Sequence, residues 1–345
     1  MDAHRHKYNL NVISVRGRTE IRFTSSKYVF PAAVPGFGMD HRALLLLRAA
    51  RETGVIEACV TNAETVEEVA EEADVTERAA RISVDALVDL GFLERMGSGF
   101  EPTNKMLGFI TKTDVRSIGR LPHELDCLDR WLDLPETMRT GEPPEKPANW
   151  TRNALGAMAA VDESTVRAFV TAAIHEKPDA ETVVDVGGGP GLFAREFARR
   201  GYDVTVVDTP DVIEADEPLL EHEPVSLRGA DVTEELPGQY DLVFCSRLAH
   251  TLSPEENRAF MRNALDALEP GGTLVHIDQL RDRADGAAML AAHMLAQTDG
   301  GETYTEAEFG EWFGDAGFHH PRVEDVPGTD YQLVAGDKRD SSEGA

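Results

Sequence analysis

The chain has 345 residues, 41% of them hydrophobic, and sets 62 Asp plus Glu against 34 Lys plus Arg for a net charge of −28. That length suits two domains of ordinary size, and the apolar share is enough to bury a core rather than leave the chain disordered. So acidic a chain repels phosphate backbones and anionic lipid, which makes nucleic acid and membranes poor partners.

The longest leucine run, Leu44 to Leu47, stops at Arg48, far short of the roughly 20 apolar residues of a membrane span. No basic-then-apolar leader is read at the start, so a cytoplasmic protein is expected. Cys59, Cys127 and Cys245 lie too far apart for a metal knuckle or a disulfide framework, and no metal is expected. Only seven of the 34 cations are lysine. Acid-rich, lysine-poor composition resembles that of halophilic cytoplasmic proteins, although an ordinary acidic enzyme has the same look.

Residues 1–30 carry a net charge of +4, which leaves −32 for the remainder. No helical period runs through them, and Pro31, Pro35, Gly36 and Gly38 follow, so 1–38 reads as a disordered N-terminal tail, with a basic interaction arm as the alternative. Helical patterns then cover 41–53, 64–72 and 76–90, the last with Thr76 as N-cap. Phe92 to Phe100, turning at Gly97-Ser98-Gly99, reads as a small hairpin. Helix, turn, helix and wing is a winged-helix outline. Its second helix offers Arg78 and Arg81 but also Glu77, Asp85 and Asp89, so it lacks the cationic footprint of a groove reader, and dimerisation is the better use. An amphipathic stretch over 121–134 and a Pro- and Gly-bearing linker over 134–147 complete this part, placing a winged-helix dimerisation domain with its linker at 39–150.

One long helix is expected over 153–175. Strand patterns follow at 182–186, 204–208, 225–227, 242–246 and 273–278, with helices such as 192–200 and 254–268 between them. Apolar strands alternating with amphipathic helices imply a parallel sheet covered on both faces. Two last strands, 322–326 and 331–335, are close enough to form an antiparallel hairpin. The expectation is an α/β fold, a seven-stranded Rossmann-like domain over 151–338, with 339–345 a disordered C-terminus.

Asp185-Val186-Gly187-Gly188-Gly189-Pro190-Gly191 lies where a strand gives way to a helix. A dinucleotide fingerprint needs glycine at 192, where this chain has Leu192. G-x-G-x-G at Gly187, Gly189 and Gly191, with the preceding acid Asp185, instead resembles the nucleoside loop of S-adenosylmethionine enzymes. Asp208 ends the next strand and is placed to accept hydrogen bonds from ribose hydroxyls. After the strand beyond it, Asp231 and Val232 suit an adenine amino group and ring face, unless Asp231 only caps its turn.

The fourth strand ends in Ser246-Arg247-Leu248-Ala249-His250-Thr251-Leu252. With Gly300-Gly301, Tyr304-Thr305-Glu306-Ala307-Glu308-Phe309 and Ala316-Gly317-Phe318, this stretch resembles the class II small-molecule O-methyltransferases, the group of hydroxyindole, caffeate and polyketide enzymes. The resemblance runs over about 40–338. It implies a homodimer that uses S-adenosylmethionine without a metal, with Ser246 and Arg247 on the cofactor side. It also implies that His250 is the general base and that Asp278 is the acid holding it. The chemistry is sound on its own terms: phenols titrate near about pH 10, and an imidazole of pKa about 6.5 can take the proton as methyl transfer proceeds.

Two departures stand out. The family commonly reads His-Asp-Trp where this chain has His250-Thr251-Leu252, and a second supporting acid is usual where Thr303 stands beside Glu302. The methyl acceptor is expected against Trp131, Met158, Asp162, His293, Met294 and Gln297, although the two methionines suit a core equally well. The expected activity is O-methylation of a small, aromatic hydroxyl compound. C-methylation, an idle ligand-binding relative and a winged-helix DNA regulator are the alternatives.

Overall fold

The computed structural model describes residues 41–110 and 119–340. The tail expected over 1–38 lies outside them, as do all but the first two residues of the tail expected over 339–345. The chain divides into two compact units, Met1–Leu47 and Arg48–Ala345. Of the first, the described part is the opening of helix α1, His41–Glu52.

In the second unit, α2 (Val55–Thr61), α3 (Val66–Glu72) and α4 (Glu77–Asp89) precede an antiparallel pair, β1 (Leu93–Met96) and β2 (Gly99–Pro102). The boundaries follow from side-chain chemistry. Thr65 and Glu68 form a reciprocal capping box at the start of α3, and Thr76 accepts the Ala79 N–H at the start of α4. This is the helix-helix-wing outline read from the sequence. Helix α5 (Asn104–Ile110) follows.

Helices α6 (Leu121–Leu132), α7 (Leu134–Thr140), α8 (Trp150–Met158) and α9 (Glu163–Glu176) then lead to the sheet. Two expectations are corrected here. The linker expected over 134–147 is helical in its first half, where Pro135 occupies the first turn and Gly141 ends the helix. The single helix expected over 153–175 is two, because Asp162 takes an extended conformation and accepts the N–H groups of Ser164 and Thr165 as the N-cap of α9. An N-cap of that quality restarts the helix in spite of a continuous apolar pattern.

The remaining elements are β3 (Thr182–Val186), α10 (Leu192–Arg199), β4 (Asp203–Asp208), α11 (Pro210–Leu220), β5 (Val225–Gly229), β6 (Tyr240–Ser246), α12 (Pro254–Asp266), β7 (Leu268–Asp278), α13 (Ala287–Gln297), α14 (Glu306–Ala316), β8 (His319–Asp325) and β9 (Gln332–Asp337). The sheet order is β5-β4-β3-β6-β7-β9-β8, with β9 antiparallel to both its neighbours and the other pairings parallel. Alternate residues feed opposite cores. Val184, Val186, Val243, Cys245 and Leu274 pack on one face, and Val183, Leu242, Phe244, Val275 and Ile277 on the other. Strand order reverses between β3 and β6. The chain segments leaving those two strands therefore flank the crevice where open α/β sheets bind ligands.

Candidate active site

Gly187, Gly189 and Gly191 all take positive φ (65°, 48° and 68°), a region that side chains other than glycine's rarely enter. A Cβ on Gly189 would also fall 2.5 Å from Cε of Met158, the movable end of a side chain packed on the loop. Asp185 stands behind the loop, buried, with Oδ2 accepting the Ala194 N–H at 3.0 Å. Burial, above all, pushes its carboxyl up to about 7, with the Asp208 charge adding to the effect. Asp185 thus ties the loop to the first turn of α10. Asp208, ending β4, takes the Gly189 N–H at 3.0 Å and the Thr209 N–H at 2.8 Å, and burial raises its carboxyl as well.

The facing segment leaves β6. Ser246 and Arg247 line a cleft with Met158, Gly187, Gly188, Pro190, Leu192 and Phe193. Arg247 has φ of 58°, a costly conformation away from glycine, and its buried Nε has no hydrogen-bond partner. Strain and an orphaned donor at one residue in a cleft are signs of a ligand site. Off to the side, Asp231 accepts the Thr233 N–H at 2.9 Å and the Thr233 hydroxyl at 2.7 Å, which is the turn-capping alternative, and Val232 is buried in the core.

A short 3₁₀ turn, Ala249–Thr251, carries His250. The Asn257 Nδ2 donates to the carbonyls of Ala249 and Leu252, and the Tyr304 hydroxyl donates to that of Leu252 at 2.5 Å, so the turn is pinned from outside. Asp278, ending β7, accepts the His250 ring at Nδ1 from 2.7 Å and its backbone N–H at 3.3 Å. Burial alone would raise the Asp278 carboxyl, but the imidazoles of His250 and His276 outweigh it and hold the group well below the ordinary carboxylate range. With Nδ1–H given to Asp278, Nε2 of a neutral His250 is left as a lone pair. Glu302 pairs with Arg281 at 3.0 Å and Thr303 donates to the Ala287 carbonyl at 3.2 Å, so both have other partners.

Among the residues expected to hold the methyl acceptor, Trp131 donates through Nε1 to His293 Nδ1 at 3.0 Å. Burial lowers the His293 pKa to about 4, with His123 and His250 adding to the fall. His293 is therefore neutral with its hydrogen on Nε2. Met158 packs on the glycine loop, Asp162 is spent on the α9 cap, and Met294 is buried. Gln297 is also buried, its amide donating to the Cys127 carbonyl at 3.4 Å. Beside it the buried Arg130 donates to the carbonyls of Ala296 (3.1 Å), Gln297 (3.2 Å) and Pro144, closing the C-terminus of α13. Sequence reasoning missed Arg130, for which spacing gave no signal.

Residues 158–320 match the family described as a methyltransferase domain. The 3-hydroxy-5-methyl-1-naphthoate 3-O-methyltransferase of Streptomyces sahachiroi is 28% identical over 303 residues, covering 80% of this chain and 86% of the relative. The tetracenomycin polyketide synthesis 8-O-methyl transferase TcmO of Streptomyces glaucescens is also 28% identical, over 76% of this chain and 84% of its own length. The chain is a methyltransferase, similar to small-molecule O-methyltransferases. Its overall fold agrees with the solved structure of PigF with SAH (TM-score 0.67, 19% identity, 86% of this chain and 96% of that one).

Such a methyltransferase uses S-adenosylmethionine, and the residues present fit that group. Gly187, Gly189 and Gly191 hold the loop in a positive-φ conformation with no side chains at those positions, Asp208 accepts the Gly189 N–H beside it, and the orphaned Arg247 Nε belongs to a residue that lines the same cleft. No group of three or more His, Cys, Asp or Glu residues that could hold a metal ion occurs among the described residues.

Proposed function

We propose that this methyltransferase acts on a hydroxyl of a small, aromatic molecule, with His250 as the general base and Asp278 as the group that orients it. The observation that carries the reading is the 2.7 Å contact between His250 Nδ1, on the turn that follows β6, and Asp278 Oδ1, at the end of the adjacent β7. A bare cofactor binder has no need of that pair. The donor supplies an electrophilic methyl group, which the hydroxyl oxygen takes as the C–S bond breaks and the sulfur leaves as a neutral thioether. Phenolic oxygen is a weak nucleophile while it keeps its proton, so His250 Nε2 removes the proton as the O–CH₃ bond forms. Asp278, held ionised, stabilises the imidazolium that results.

On the cofactor side, the reading places Asp208 on the ribose hydroxyls, Asp231 and Val232 near the base, and Ser246 with Arg247 toward the amino-acid end. On the acceptor side, Trp131 and His293 supply an aromatic wall and a fixed N–H donor, which suits a flat molecule with a second oxygen. The relatives' names add weight, since those of S. sahachiroi and S. glaucescens are O-methyltransferases of aromatic or polyketide compounds. Residues 39–150 would act as the dimerisation domain with its linker, and 151–338 as the catalytic domain of a homodimer. Three buried free thiols, Cys59, Cys127 and Cys245, agree with a reducing cytoplasm.

The test is transfer of a labelled methyl from S-adenosylmethionine to a panel of hydroxynaphthoates and hydroxybenzoates, with the product's methyl located by NMR. Methyl on oxygen is expected. Methyl on carbon, or binding of the cofactor with no transfer to any hydroxyl, would overturn the reading.

A further inference from the structure

His276 lies two residues before the end of the apolar strand β7 and is fully buried, where a leucine would pack without desolvation cost. It is Cys245's partner in the β6–β7 register and shares a sheet face with Asp278, two residues on. Its Nδ1 stands 2.8 Å from the Cys245 Sγ, and its Nε2 lies 3.4 Å from Asp278 Oδ2 with no hydrogen-bond partner of its own. The ring's other neighbour is Phe309, with centroids 5.1 Å apart.

We propose that His276 is a positioning residue for the reaction: it shares Asp278 with His250 and so sets both the orientation and the basicity of the base. The inference rests on the proposed role of His250. The direction of each bond follows from the chemistry. The ionised Asp278 Oδ2, 3.4 Å from His276 Nε2, favours the ring hydrogen on that nitrogen, which leaves Nδ1 to accept from the Cys245 thiol, kept protonated by burial. Together these contacts fix the His276 hydrogen on Nε2, facing Asp278 Oδ2. The other carboxylate oxygen then accepts from His250 Nδ1 at 2.7 Å, leaving His250 Nε2 as the lone pair. A carboxylate shared with a second imidazole N–H has less negative charge to offer the imidazolium, so His276 holds the basicity of His250 down. The other titratable groups in the surrounding field are Asp185, which acts on Cys245, Arg247 and Tyr331, coupled to each other and, through Tyr331, to Asp278, and His293, coupled to His250.

The experiment is a ¹⁵N-edited NMR titration of histidine side chains in the full-length protein, for wild type, His276→Leu and His276→Gln, with kcat against pH on the hydroxynaphthoate panel. The Leu variant is expected to raise the His250 midpoint by about 0.5–1 pH unit and to move the rising limb of kcat with it. In the Gln variant the amide N–H reaches the place of Nε2 and should restore the wild-type midpoint. If the Leu variant fails to fold, Cys245→Ala serves, and a mixture of His276 tautomers in place of the Nε2–H form is expected. An unchanged His250 midpoint in His276→Leu, or an unchanged tautomer in Cys245→Ala, overturns the proposal. A shifted midpoint with an unshifted kcat limb supports the coupling and rejects His250 as the base instead.

Discussion

At the residue scale, Asp208 offers the simplest test of how the cofactor is held. Its two oxygens accept backbone N–H groups from Gly189 and Thr209, and each keeps capacity for a further donor. Asp208→Ala should weaken S-adenosylmethionine binding by about 1.5–3 kcal/mol, the worth of a hydrogen bond to a charged group. Calorimetry that finds unchanged affinity would reject the ribose placement. The sequence made Asp208 and Asp278 legible because each ends an apolar strand, where a charged residue interrupts a readable pattern, whereas His250, on the turn after β6, was legible through the family resemblance. His276 escaped because it sits within such a pattern, and one polar residue in an apolar run reads as noise. Asp162 was legible as an acid near the pocket, but its neighbours Ser164 and Thr165 made it a cap.

The elements show how packing fixes the catalytic turn. A Cβ on Gly301 would fall 2.4 Å from the His250 carbonyl oxygen, so backbone lies directly against backbone there. Gly301→Ala should push the 3₁₀ turn off Asp278, destabilise the protein by about 1–3 kcal/mol and lower kcat more than it changes cofactor affinity. Gly310, within α14, has nothing within 4 Å of its missing Cβ. Gly310→Ala should therefore stabilise by about 0.5–1 kcal/mol through helix propensity, with kcat unchanged. Denaturant midpoints and kcat on both variants check the pair, and equal effects would show that the turn is not the sensitive element. The Gly300-Gly301 pair was visible in the sequence as part of a family resemblance, whereas its steric reason needs the coordinates. Most strands were read within a few residues because their alternation serves two cores. The break between α8 and α9 was missed because apolar spacing runs on through a good N-cap.

Over the whole molecule, the carboxyl groups set how stability varies with pH. Asp216 on α11 is fully buried with neither oxygen hydrogen-bonded, and burial, helped by the Asp208 charge, raises its pKa from 3.8 to about 7. Asp185 is raised to about 7 likewise. Folding therefore favours their protonated forms: the contribution is fully present below about pH 4 and is lost as pH rises toward 7. Asp278 works in the opposite sense, contributing above its unfolded value and losing that contribution in acid. Asp216→Asn should flatten the decline between about pH 4 and 7 and raise stability at pH 8 by on the order of 2 kcal/mol. An unchanged slope in urea midpoints would show that Asp216 stays charged in the fold.

At the same scale, removing residues 1–100 should give monomers or aggregates by light scattering if that region pairs two chains, and an intact dimer would place the interface elsewhere. The central claim, that His250 removes the proton of a hydroxyl acceptor, is tested most directly by kcat against pH for wild type and His250→Ala on the hydroxynaphthoate panel, with S-adenosylmethionine affinity measured alongside. The account predicts a wild-type rate that rises with pH through the imidazole titration, a loss of about 10²–10⁴-fold in the variant together with that limb, and unchanged cofactor affinity. Near-normal turnover of a neutral hydroxyl acceptor by His250→Ala, with the same pH profile, would contradict it.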